Sequence, residues 1–89
     1  MNKLHANLLT ARLEEILNAG MTCLLWNELY RWYGVQKIAA GTLRDLDYRW
    51  DELTDGQEGR LMKIDGPGGV YLVSENSIAP LFSKKVDEA

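Results

Sequence analysis

The side chains of this chain change rhythm at Gly59. Before it, apolar residues recur at three- and four-residue steps, the period of a helix. After it they alternate, the period of a strand. A chain of 89 residues that makes this switch once must place its helices first and its sheet afterwards. The expectation is an α+β fold, three helices followed by a two-stranded β-hairpin and a short C-terminal tail.

The helical part divides at its glycines. Ala6, Leu9, Leu13, Ile16 and Leu17 share one stripe, broadened by Leu4 and Leu8, and predict a helix over residues 4–18 that ends before Gly20. Thr22 reads as the N-cap of a second helix over 23–33, on which Leu25, Leu29 and Trp32 share a face. Trp26, Tyr30 and Tyr33 widen that face beyond the need of so short a helix. They either complete the core or present a surface to a partner. Residues 35–40 read as a connector or a single turn. A third helix is predicted over 42–53, with Leu43, Leu46, Trp50 and Leu53 as its inner stripe, and 54–59 as a polar loop.

Residues 60–64 and 70–74 are strand-like runs around Asp65-Gly66-Pro67-Gly68-Gly69, a turn composition. Pairing Ile64 with Val70 and Met62 with Leu72 would put those four on the core face. Leu61, Lys63, Tyr71 and Val73 would then form a second face too apolar for free solvent, to be covered by the tail or by a partner. Ile78, Leu81, Phe82 and Val86 are spaced for a short helix around Pro80, within a tail (79–89) whose last residues are expected to fray.

The apolar fraction of 46% and charged fraction of 26% suit one folded domain spanning 1–89 rather than a disordered chain. No run approaches the roughly 18 apolar residues of a membrane span, and the first residues lack a secretory pattern. With the single cysteine Cys23, these features predict a cytoplasmic protein with no membrane association.

Catalytic chemistry is not expected. Cys23 and His5 are the only thiol and imidazole, and they fall in different elements. One His and one Cys cannot build a structural zinc site. Asp47, Asp51 and Asp55 align at four-residue steps but lack the loop and glycine of a calcium site, so a solvated acidic face is expected. The glycines of 65–69 serve a turn and not a phosphate loop, which needs a following Lys-Ser/Thr and helix. Neither cofactor nor metal is predicted.

From Leu8 to Val73, the order of three helices and a hairpin resembles a winged helix-turn-helix domain. The residues carrying the resemblance are the Gly20-Met21-Thr22 step, the turn from Val35 to Thr42, the anchors Leu43 and Leu46, and the wing from Gly59 to Val73. The resemblance implies a third helix in the major groove and a wing against phosphates or the minor groove. Lys37, Thr42, Arg44, Tyr48, Arg49, Arg60 and Lys63 would then meet double-stranded DNA. The implied function is DNA binding or transcription regulation, and a homodimer is expected because it would recover affinity that one neutral module lacks and bury the surplus aromatics of the first two helices.

Charge argues the other way. The net charge is −3, and between Arg31 and Ile64 six basic residues meet six acidic ones. The tip of the wing has no basic residue. Each unpaired carboxylate near a duplex opposes binding. The alternative is an acidic protein-interaction module, such as a complex subunit or an inhibitor of a basic, nucleic-acid-binding protein. Asp45, Asp47, Asp51 and Glu52, with Trp26, Tyr30 and Tyr33 as anchors, would then bind the partner.

Overall fold

The structure, a computed structural model, describes residues 1–82. In chain order it comprises α1 (Lys3–Ala19), β1 (Met21–Leu25), α2 (Trp26–Tyr33), α3 (Ala40–Thr54), β2 (Leu61–Asp65), β3 (Gly69–Ser74) and a single 3-10 turn at Glu75–Ser77. The three strands form one antiparallel sheet in the order β1-β3-β2. The fold is α+β, as the change of period at Gly59 required.

The helices cover one face of the sheet. Leu9, Leu13 and Ile16 of α1, Leu29 and Trp32 of α2, and Leu46 and Trp50 of α3 pack onto Leu24, Val70 and Leu72. Trp50 is fully buried, and its indole Nε1 donates to Gly59 O at 3.0 Å, so the largest core side chain leaves no polar atom unpaired. The same loop is fastened from the other side by Ser74 Oγ, which donates to Glu58 O. Gly59 sits at φ 77°, with Asn76 and Glu75 side-chain atoms at 3.0 Å from where a Cβ would be. Both facts favour glycine there.

The sheet corrects the expectation of a two-stranded hairpin. Met21–Leu25 is a strand and not the first turn of a helix. Its side chains alternate: Thr22 and Leu24 are buried, while Met21 and Leu25 are exposed. Thr22 therefore caps no helix. Its hydroxyl donates to Glu15 Oε2 at 2.9 Å. The strand runs into α2 with no intervening loop, which is why three- and four-residue spacing seemed to continue back through Leu25. The helix is started instead by Glu28, whose carboxylate accepts the Leu25 N–H at 3.0 Å.

The hairpin register differs from the expected one by a single residue. Gly66 N–H donates to Gly69 O at 2.8 Å, leaving Pro67-Gly68 as a two-residue turn. This sets Met62 against Val73, Lys63 against Leu72, Ile64 against Tyr71 and Asp65 against Val70. A one-residue shift exchanges the faces of the whole strand. Val70 and Leu72 are buried as expected, but Met62 and Ile64 lie on the outer face, 37% and 59% exposed. Leu61 packs against the core instead. Lys63 and Asp65 stand on the helix side of an edge strand and pair with each other at 2.7 Å.

Gly69 fixes how closely β1 and β3 approach. A Cβ there would lie 2.4 Å from Leu24 O. In α3 the buried stripe is Thr42, Leu46 and Trp50, with Leu53 packed at its edge, and Leu43 is 38% exposed rather than an inner anchor. Ile78, Leu81 and Phe82 form no helix and are exposed. Val86 and the other residues after 82 lie outside the described part.

Candidate nucleic-acid interface

Helix α3 shows two different sides to solvent. On the side toward β2, a groove of about 410 Å³ is lined by Leu43, Arg44, Leu46 and Asp47 of α3 and by Arg60, Leu61, Met62, Lys63 and Leu72. It continues into a second hollow of about 260 Å³, where Trp26, Leu29, Ile38 and Val70 join Leu43, Leu46, Lys63, Asp65 and Leu72. The floor is apolar and the rim is charged. Arg44, Arg60 and Lys63, far apart in sequence, are brought together here, facing Asp47 and Asp65.

The other side of α3 is bound up internally. Tyr33 Oη donates to Asp45 Oδ2 at 2.6 Å, and Arg49 Nε donates to the same oxygen at 2.6 Å. Burial alone would raise the Asp45 pKa, but the bonds from Tyr33 and Arg49 outweigh it and hold the carboxyl below its usual range. The Tyr33 phenol is pushed well above its ordinary value, by burial first and by the Asp45 carboxylate second. The Arg49 guanidinium is raised by the bond to Asp45. This cluster ties the end of α2 to the first half of α3.

The residues anticipated for DNA contact therefore separate. Arg44, Arg60 and Lys63 share the groove, with Lys63 half neutralised by Asp65. Lys37 is exposed in the connector before α3 and does not line the groove. Arg49 is paired to Asp45, and Thr42 is 8% exposed and faces the core. Tyr48 is exposed beside Glu52, whose carboxylate raises its phenol pKa.

The alternative partner-binding set separates as well. Asp47, Asp51 and Glu52 are exposed along α3, whereas Asp45 is bonded to Tyr33 and Arg49. Trp26 packs against the core, and its Nε1 donates to Gly66 O at 2.8 Å, fastening α2 to the hairpin turn. Tyr33 also packs against the core, and Tyr30 is half-buried. Among the described residues no group of three or more His, Cys, Asp or Glu side chains is placed to hold a metal ion.

Sequence reasoning anticipated an apolar outer face with Tyr71 and Val73 but gave it the wrong residues of β2 and none of β1. With Met62 and Ile64 turned outward, they join Tyr71 and Val73 of β3 and Met21, Cys23 and Leu25 of β1. The alternation in Met21–Leu25 was the available signal, but it was masked by the direct run into α2. No helix among the described residues is long and apolar enough to cross a membrane. No protein-family model, curated protein or solved structure matches the chain.

Proposed function

We propose that the chain is a small winged-helix DNA-binding protein of the transcription-regulatory kind, with α3 and the β2-β3 wing presented to the duplex. The order α1-β1-α2-α3-β2-β3 is compatible with that layout. The observation that carries the reading is the convergence of Arg44, Arg60 and Lys63 on one groove between α3 and β2. On a chain of net charge −3, this groove holds three cations against the two carboxylates Asp47 and Asp65. Arg44 and Arg60 make no salt bridge among the described residues, so their charge is available to phosphates or to guanine edges.

The test is binding to mixed-sequence duplex DNA at low and moderate salt. The reading requires measurable affinity that falls steeply as salt rises, and a loss of that affinity in Arg44→Ala/Arg60→Ala. Absence of binding at low salt overturns it.

One observation favours a second reading, an acidic protein-interaction module. Arg49 is spent on Asp45, so past Arg44 the exposed side of α3 carries Asp47, Asp51 and Glu52 without a free cation among them. Its partner would be a basic protein, met through that acidic side. Failure to bind DNA, together with loss of a basic partner in Asp47→Lys/Asp51→Lys, is the outcome that selects it.

A further inference from the structure

We propose that the outer face of the sheet is a homodimer interface, in which two copies of the chain pack sheet against sheet. This rests on the sheet geometry and is independent of what α3 binds.

The register places Met21, Cys23 and Leu25 of β1, Tyr71 and Val73 of β3, and Met62 and Ile64 of β2 on the side of the sheet opposite the helices, with Met62, at the edge, also reaching the groove beside α3. None of these seven strand positions carries a carboxylate, ammonium or guanidinium. Met21 is 53% exposed, Leu25 48%, Ile64 59% and Tyr71 48%. An antiparallel sheet that faces water on one side normally alternates apolar with polar residues along each strand. Here the outer-face positions of all three strands are apolar.

The open apolar area is on the order of 500 Å², at the upper end of what a monomer shows in one patch. It supplies most of the roughly 800 Å² per partner of a stable interface. Ile78, Leu81 and Phe82, in the segment after β3, are also exposed apolar side chains.

The occupant is a second copy because the face is neutral. Each copy has net charge −3, and meeting through an uncharged face brings no like charges into direct contact. A basic or acidic partner finds no complementary group here. Aligned sheets about 10 Å apart interdigitate side chains such as Ile64 and Tyr71, as in a sandwich core.

The experiment measures mass by sedimentation and Cys23 alkylation on the full chain across a concentration series. Cys23 lies within the face and is half-buried, opposite Tyr71. The expected result is a dimer at tens of micromolar, with Cys23 alkylation slowing about tenfold as the dimer forms. Ile64→Glu/Tyr71→Glu should be monomeric, with an unchanged circular dichroism spectrum and fast alkylation at every concentration. Leu8→Glu, on the exposed side of α1, should remain dimeric. A wild-type monomer at high concentration overturns the proposal, as does a dimer that survives Ile64→Glu/Tyr71→Glu. A monomer whose Cys23 is already protected also overturns it, because the face is then covered by the chain's own tail.

Discussion

Arg12 and Glu28 meet as a two-pronged ion pair, Nη2 to Oε2 at 2.7 Å and Nη1 to Oε1 at 3.2 Å. The same guanidinium donates to Cys23 O at 2.9 Å and lies 5.6 Å from the centre of the Trp32 ring. Glu28 also accepts the Leu25 N–H. One pair thus fastens α1, the outer edge of β1 and the start of α2. Glu28→Gln should cost about 2 kcal/mol, since it leaves a partly covered guanidinium short of its partner. Denaturant titration measures this. Arg12→Met added to Glu28→Gln should restore part of the loss, and a strictly additive pair would show that the two residues are not coupled.

Acid should weaken the fold through two carboxyls. Burial pushes Glu28 up, but the bonds from Arg12 and Leu25 prevail and its pKa is lowered. Asp45 is lowered likewise by Tyr33 and Arg49, against its own burial. A carboxyl depressed in the folded state contributes stability that is complete above its unfolded pKa, about 4. That contribution is lost as pH falls through the folded pKa. Melting temperature should therefore hold steady from neutrality to about pH 5 and drop below about pH 4. Tyr33→Phe, which removes one bond to the Asp45 carboxylate, should cost about 1 kcal/mol at neutral pH and make the acid decline shallower.

Gly69→Ala should destabilise by about 2 kcal/mol, because its methyl meets the Leu24 carbonyl and the strands must separate. Gly66→Ala is the control. Its nearest neighbour would be Gly69 O at 3.5 Å, an ordinary contact, so its effect should be much smaller. Thermal denaturation of the two variants distinguishes strand approach from a general cost of replacing glycine in this turn.

If α3 and the wing bind duplex DNA as proposed, affinity should divide the basic residues by their pairing. Arg44→Ala and Arg60→Ala should each weaken binding and lower the salt slope by about one. Lys63→Ala should do less, since Asp65 already neutralises that ammonium. Arg49→Ala should lower stability through Asp45 and leave DNA affinity nearly unchanged. Fluorescence anisotropy over a salt series, with melting curves on the same variants, checks the separation. Equal losses at Arg49 and Arg44 would contradict it.

The long helices were legible in the sequence because their apolar stripes are regular and their ends are marked, as at Gly20, which adopts φ 92° and donates to Ile16 O. The presence of the hairpin was legible from its glycines. Its register was not, because both faces of residues 60–74 are apolar enough that burial cannot choose between them. The choice falls to the Gly66–Gly69 bond instead. The strand at Met21–Leu25 was hidden by a junction without a loop, where Leu25 satisfies both a strand's alternation and a helix's spacing. The grouping of Arg44 with Arg60 and Lys63, and the removal of Arg49 and Thr42 from the candidate surface, depend on that register and on the rotation of α3. Neither is written in local spacing.

The strand that both others need is β3, at the centre of the sheet and last in the chain. A ribosome that has released everything up to Gly68 has delivered three helices and two edge strands with nothing to join them. Leu24, Leu46 and Trp50 must wait without Val70 and Leu72 until β3 has been made. The sheet therefore cannot begin to form until β3 has emerged, and a chain that stops at Gly68 has no sheet at all.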